Sequence, residues 1–475
     1  MQSERVLDIF KEITTIPRES GHEGPITRWL CEWAESRGLE CRTDPIGNVL
    51  IARPAAPGKE AVPALVLQAH QDMVCEKNDG VKHDFRKDPI PYVIRDGWMI
   101  APDTTLGADD GIGIAACLGL LEDDAPTGRV ECLFTISEET GMDGAEALEA
   151  GFFEGKTLIN LDSEDEGQLF IGCAGGVTTE VTYRVRRDSG VRGAKCARLM
   201  ISGGIGGHSG DDINKGRANT VQLMARFLYS RLGPTFRLVS IDGGGKHNAI
   251  ARECSATVAV TDIEALREAF KLFEADIKEE FHTTDPGLEC SFEEVPKRIH
   301  PLSRTAGEHI IGGLFASPHG VEAMSQDIPG LVQTSTNLAS VRTLVKEGLV
   351  EIVTSQRSSA VSECRALASK VKACFESFGA KVKHVSEYPG WNPDINSPIL
   401  ARTVEAYRRL FNSEPEVKAI HAGLECGLFL QKFPGLDMIS FGPTLRGVHA
   451  PGEKLELASM DKFVKLLDDV VRNFE

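Results

Sequence analysis

The feature that most constrains this chain is an alternation of strands and helices that stops and later resumes. Residues 5–16 and 23–37 place apolar side chains at helical spacing, and residues 64–68, 130–136 and 158–161 are short, apolar, strand-like runs. A small-residue helix, 111–121, falls between them. Strands interleaved with helices predict an α/β fold with a central mixed sheet, whose ligand sites gather at loops beyond strand ends. From about Gly176 the texture changes. Residues 177–186 alternate like a half-exposed strand, 214–232 read as a helix, 254–261 as a strand and 264–281 as a charged helix; 331–385 form a second strand-rich, helix-containing stretch. The alternation returns with a helix from Ser397 to Leu410, a strand at 417–420, a helix at 424–432, a strand at 438–440 and a last helix from Ser459. The expectation is one α/β domain in two parts, 1–175 and 391–475, interrupted by an inserted α+β domain, 176–390, of two similar halves. A length of 475 residues suits about two to four domains.

Charge narrows the partners. With 70 acidic against 52 basic residues the formal charge is −18, which repels nucleic acid and anionic membrane surfaces, and no basic run offsets it. No stretch approaches the ~18 apolar residues of a membrane helix. Met1-Gln-Ser-Glu-Arg-Val lacks the basic-then-apolar layout of an export signal. The expectation is a cytoplasmic protein with neither nucleic-acid nor membrane partners. None of the 12 cysteines forms a Cys-x-x-Cys pair, and scattered positions such as Cys117, Cys132 and Cys364 suit buried thiols better than disulfides.

Five segments place ligand-type side chains where strands should end. They are Leu67-Gln-Ala-His70-Gln-Asp72-Met-Val, Thr104-Thr-Leu-Gly-Ala-Asp109-Asp110-Gly-Ile-Gly, Ser137-Glu138-Glu139-Thr-Gly, Asn160-Leu-Asp162-Ser-Glu164 and Gly442-Pro-Thr-Leu-Arg-Gly-Val-His449-Ala-Pro. In an extended segment residues i and i+2 face one way, so His70 and Asp72 can share a site. Any one of these carboxylates is as well explained as a helix cap. The adjacent pairs Asp109-Asp110 and Glu138-Glu139 are harder to dismiss, because like charges at a buried strand end repel and a bound cation relieves that. Two histidines with several carboxylates suit zinc, cobalt or manganese better than calcium.

Rival motifs fail. Gly111-Ile-Gly113-Ile-Ala-Ala116 fits a dinucleotide fingerprint, but Asp109 and Asp110 sit where a pyrophosphate needs positive potential. Gly207-His208-Ser209-Gly210 lacks the spacing of a serine nucleophile elbow, since Asp211 stands in place of the last glycine. There is no His-Glu-x-x-His and no Walker sequence. A metal-assisted hydrolase is the reading that survives.

The five segments, with Gly206-Gly-His208-Ser-Gly and His421-Ala-Gly-Leu-Glu425-Cys-Gly, make a chain that resembles the aminoacyl-histidine (cytosolic non-specific) dipeptidases, within the co-catalytic dizinc metallopeptidases. The resemblance runs nearly end to end. It implies that Asp109 bridges two divalent ions, most often zinc, with cobalt or manganese as alternatives. It further implies that His70 and Asp162 complete one site and Glu139 and His449 the other. Glu138 would be the general base, and Asp72 would orient the His70 imidazole. The insertion would act as a lid in which His208 steadies the oxyanion while Asn248 and Arg357 bind substrate polar ends, Arg357 as the carboxylate clamp. Glu425 would meet the substrate amine. Plainer roles stay open: His208 as a turn residue, Arg357 as a surface strand residue, Glu425 as a helix cap. Ala251, Ala450 and Cys75 depart from the family pattern without removing a ligand atom.

The resemblance implies hydrolysis of dipeptides of the Xaa-His type and others. Its nearest rival is N-acyl amino acid deacylation or tripeptide aminopeptidase action on the same scaffold. A silent scaffold is disfavoured by the retained Glu138. Members of the family also associate, which leaves a homodimer open.

Overall fold

The computed structural model of the chain describes residues 1–296 and 299–475. It contains two compact units. One comprises Met1–Gly172, Trp391–Ala419 and Leu424–Glu475; the other comprises Cys173–Gly390 together with Ile420–Gly423.

The first unit is built on an 8-stranded mixed sheet. Its order is Glu40–Thr43, Val49–Arg53, Val130–Thr135, Leu65–His70, Thr157–Asn160, Asp437–Ser440, Gln168–Cys173, Glu416–Ile420. The middle strands are parallel: Leu65–His70 pairs with both Val130–Thr135 and Thr157–Asn160, and Asp437–Ser440 pairs with Thr157–Asn160. Leu65–His70 and Val130–Thr135 are buried along their whole length, as expected of parallel strands covered on both faces.

The helix Ala108–Leu121 is buried at every position and packs against both Leu65–His70 and the helix Ser3–Ile13. Its small residues make that possible. A Cβ on Gly111 would lie 2.8 Å from the Phe10 ring, and one on Gly119 would lie 3.0 Å from Val6. The expected helix 5–16 stops at Ile13, since Ile16 precedes Pro17 and is held out of the helical region. The expected helix 111–121 begins earlier, at Ala108, but Asp109 and Asp110 have non-helical backbone angles and the peptide bond between them is cis.

The second unit is a 9-stranded antiparallel sheet in two halves of the same design. The first half contributes, in chain order, Lys195–Ser202, Phe236–Gly244, Cys254–Val260 and Glu289–Val295. The second contributes Gly175–Arg184, Val332–Leu344, Leu349–Ser358 and Lys381–Tyr388, with Gly320–Met324 pairing onto Val332–Leu344. Read inward from its outer edge, each half runs fourth, first, third, second strand. The two second strands meet through Gly243↔Val341 and Gly244↔Ser340. Each half adds two helices, Thr220–Ser230 and Ile263–Glu280 in one, Arg304–Ala316 and Val361–Ser377 in the other. One apolar core, including Phe227, Phe270, Leu314 and Phe375, runs under both halves. Two similar halves are therefore present, though not divided as texture suggested: the strand Gly175–Arg184, expected with the first stretch, pairs within the second half. The first half is nested between the first strand and first helix of the second, so no tandem repeat appears in the sequence.

Among the described residues no helix is long and apolar enough to cross a membrane. The cysteines there form no disulfide, and most, Cys117, Cys132 and Cys364 among them, are buried.

Candidate metal centre

The carboxyl ends of the parallel strands of the first unit bring the predicted ligands together. His70 is the last residue of its strand. Its Nδ1 lies 3.1 Å from the Asp72 carbonyl oxygen and 3.4 Å from Asp72 Oδ1, which leaves Nε2 pointing inward. That Nε2 lies 3.0 Å from Asp109 Oδ1 and 3.8 Å from Asp162 Oδ1. The other oxygen of Asp109 lies 3.1 Å from Nε2 of His449, which is also 3.0 Å from Glu139 Oε1. Asp109 thus stands between two imidazoles, with Asp162 beside one and Glu139 beside the other. His449 reaches this position from a left-handed backbone conformation, φ 62°, one that histidine adopts more readily than most side chains.

Asp72 holds the arrangement from behind. Its Oδ1 accepts from the backbone N–H of Glu138 (3.0 Å) and its Oδ2 from that of Glu139 (3.2 Å), while the Ser20 hydroxyl donates to Oδ2 at 2.8 Å. One carboxylate therefore sets both the His70 ring and the turn carrying the two glutamates. Glu23 braces the same turn, accepting from the backbone N–H and the hydroxyl of Ser137, each at 3.1 Å.

The protonation balance shows a site short of positive charge. Burial would hold His70 neutral, but hydrogen bonds to Asp109 and Asp72 outweigh it and keep the ring charged well above its usual range. Hydrogen bonds to Asp109 and Glu139 push His449 up to about 11. Burial, reinforced by neighbouring carboxylates, pushes Glu138, Asp162 and Asp110 well above the usual acid range. Imidazoles that keep protons beside carboxyls that take them up form a set that divalent cations would satisfy. Two triads, His70 with Asp110 and Asp162 and His70 with Asp109 and Glu139, have donor atoms within 4.8 Å of one another. The donor set is two imidazoles and several carboxylates, which fits a pair of borderline ions such as zinc.

The second unit gathers the other predicted residues around its own loops. The loop carrying His208 pairs with the one carrying Asn248: His208 bridges Ala249, and Ser209 N–H donates to the Asn248 carbonyl at 2.8 Å. The His208 ring is 34% exposed, with Asp211 at 3.3 Å from Nδ1. Arg357 is not a surface residue. It lies on Leu349–Ser358, is 7% exposed, and donates to the Ser209 hydroxyl (3.4 Å) and the Tyr388 hydroxyl (3.2 Å). His421 sits in the same cluster, its Nε2 2.7 Å from the Ser335 hydroxyl, and burial, then the Arg357 charge, push it down to about 4.

Glu425, in the first unit, is not a helix cap. It is fully buried, and its Oε2 accepts from Gln68 (2.6 Å) and Thr135 (2.9 Å). Among the described residues its Oε1 has no partner, and burial raises its pKa to about 7.

The sequence pairs Asp110 with Asp109 without giving it a ligand role, and marks none for Arg18, Glu23, Glu453, Tyr388 or Ser335. Asp110 lies inside one of the five ligand-bearing segments, which is the signal that could have found it. The others contact backbone groups or partners distant in sequence, which no local pattern marks.

Comparison with known proteins is consistent with this geometry. Residues 66–473 match the model of peptidase family M20/M25/M40. The chain is 38% identical over 98% of its length, and 96% of the relative's, to the cytosol non-specific dipeptidase of Escherichia coli strain K12. The crystal structure of aminoacylhistidine dipeptidase from Vibrio alginolyticus superposes with a TM-score of 0.91 at 38% identity, covering 99% of this chain and 96% of that one. A tripeptidase from Staphylococcus aureus shares the fold, with a TM-score of 0.58 at 16% identity over 99% of this chain and 98% of that one. Matched over most of its length by the family model, and so closely by a full-length relative, the chain belongs to peptidase family M20/M25/M40, the metal-dependent peptide hydrolases.

Proposed function

We propose that the protein is a dipeptidase of the cytoplasm that uses two divalent ions, most often zinc, to hydrolyse Xaa-His and other dipeptides. The observation that carries this reading is the position of Asp109 between His70 and His449, with Asp162 and Glu139 at its flanks. Asp109 is assigned as the bridge, His70 and Asp162 as ligands of one ion, and Glu139 and His449 as ligands of the other. When bound, such a pair supplies an acidified water and a polarised scissile carbonyl.

The chain's own residues do the rest. Glu138 is the base: it takes the proton of the attacking water and passes it to the departing amine. Asp72 keeps the His70 ring and the Glu138 backbone in register. His208 donates to the carbonyl oxygen as charge develops on it. Arg357 has only neutral partners within hydrogen-bonding distance among the described residues, so its guanidinium is available for the substrate carboxylate. Asn248 holds a second polar group of the substrate. Glu425, with one orphan oxygen, is assigned the free amine.

The test is a turnover panel of carnosine, Gly-His, Leu-Gly, a dipeptide amide, a tripeptide and an acetylated amino acid, run with defined zinc, cobalt or manganese. Metal-dependent cleavage of the free dipeptides, with the amide, tripeptide and acetylated compounds far behind, is the expected pattern. Preference for the acetylated compound or the tripeptide would give the function to the rival chemistry.

A further inference from the structure

Arg18 and Glu453 are ionisable, 2% exposed each, and unused by the mechanism above. They lie on either side of one turn, Leu106-Gly107-Ala108, directly before Asp109. Glu453 Oε2 accepts from the N–H groups of Leu106 (2.7 Å) and Gly107 (3.0 Å), and Oε1 accepts from that of Ala108 (2.8 Å). A carboxylate facing three successive N–H groups at the start of a helix is in strongly favourable surroundings. Arg18 closes the other side. Its Nη2 donates to the Gly107 carbonyl, and its Nη1 donates to the carbonyls of Gln71 (3.1 Å) and Asp72 (2.6 Å).

Each group therefore ties the Asp109 turn to a second segment of the centre. Arg18 fixes it to the residues immediately after His70. Glu453 fixes it to the loop carrying His449, where Glu453 N–H also donates to the Ala450 carbonyl at 3.2 Å. The room for this is made by glycine: Gly107 has φ 69°, and a Cβ there would meet the Arg18 guanidinium and the Met73 sulfur.

We propose that Arg18 and Glu453 are positioning residues that set Asp109, His70 and His449 in mutual register before any ion arrives, and so determine metal affinity. This rests on the ligand assignment above. Neither residue contributes an atom to the ligand set. Both act on backbone groups, so the effect is on where the ligands stand rather than on their own basicity.

The experiment measures zinc affinity by chelator competition, together with thermal unfolding of the metal-free protein. The variants are Glu453→Gln, Arg18→Lys, Asp109→Ala and, as control, Glu131→Gln. Glu131 is a useful control because it too is buried, accepts two backbone N–H groups, those of Glu154 and Gly155, and pairs with an arginine, Arg129. It lies at the opposite end of its strand from the turn carrying Glu138. In Glu453→Gln an amide NH₂ replaces one acceptor, leaving a buried N–H unpaired. Arg18→Lys has one compact ammonium for three carbonyls in two segments.

Both clamp variants should lose zinc affinity by about 10–100-fold, the usual size of such outer contributions. Glu131→Gln should lose melting temperature while keeping zinc affinity. Clamp variants that keep wild-type zinc affinity while Asp109→Ala loses it would overturn the clamp and leave the ligands standing. An Asp109→Ala variant that keeps both ions would overturn the ligand assignment instead. If Glu453→Gln does not fold, Arg18→Lys alone decides between these outcomes.

Discussion

Glu138 and Glu139 are chain neighbours, both held at the backbone by Asp72, yet their carboxyls face different company. Glu139 lies beside His449, with Oε1 at 3.0 Å from the ring nitrogen. Glu138 has no such imidazole contact among the described residues. Glu138→Gln should therefore retain both ions and lose turnover by about 10²–10⁴-fold, the usual share of a general base. Glu139→Gln should lose metal as well. Metal analysis beside single-substrate kinetics reads both, and the reverse pattern would exchange the two roles. Of the proposed ligands, His70, Glu139, Asp162 and His449 were legible in the sequence because they fall at or a few residues after a strand end, whereas Asp109 opens a helix and was legible through its adjacent pair with Asp110. Arg18 and Glu453 were not, because what they recognise is main chain, and main chain has no sequence signature.

At the scale of elements, the turn after Val130–Thr135 carries the proposed general base, and its shape depends on a close approach rather than on side-chain chemistry. A Cβ on Gly144 would lie 2.5 Å from Asn48 Oδ1 and 2.6 Å from both the N and O of Ile136. Those backbone atoms cannot yield cheaply, so Gly144→Ala should cost about 1–3 kcal/mol and shift the turn. A lowered denaturant midpoint with reduced turnover is expected, and an unchanged midpoint would mean that the strand end can relax. Many helices and the buried strands Leu65–His70, Val130–Thr135 and Thr157–Asn160 followed from periodicity, though the helix expected at 214–232 begins only at Thr220; the largely buried strands Val49–Arg53, Gln168–Cys173, Lys195–Ser202 and Phe236–Gly244 did not. The strands Glu40–Thr43, Val93–Arg95 and Gly320–Met324 did not, being short and mostly exposed, so burial imposes little apolar alternation on them. The duplicated design of the second unit was readable only as texture, since nesting separates the strands of one half by the whole of the other.

Across the whole molecule, acid should act on the second unit through His319. Its Nδ1 accepts from the Leu338 N–H at 3.2 Å, and burial pushes its pKa down to about 4. The unfolded chain protonates this ring near its ordinary value of 6.5, the folded chain only near 4. Between those values the unfolded state binds more protons, so stability falls as pH drops from about 6.5 to about 4, by up to roughly 3 kcal/mol. His319→Asn offers an amide oxygen to the same N–H without titrating, and should remove its share of the acid slope of urea midpoints over that window, leaving the share of His421, which burial also pushes down to about 4. An unaltered slope would assign acid sensitivity elsewhere. The chain order of the centre also has a consequence in time. Asp109 and His449 are 340 residues apart, which at synthesis rates of about 5–20 residues per second is roughly 20–70 s. For most of that interval, once Asp162 has been added, the nascent chain holds His70, Asp109, Glu138, Glu139 and Asp162 without the imidazole of His449 beside Asp109 and Glu139. A peptide hydrolase assembled in this order has no finished centre on the ribosome until almost all of it has been made.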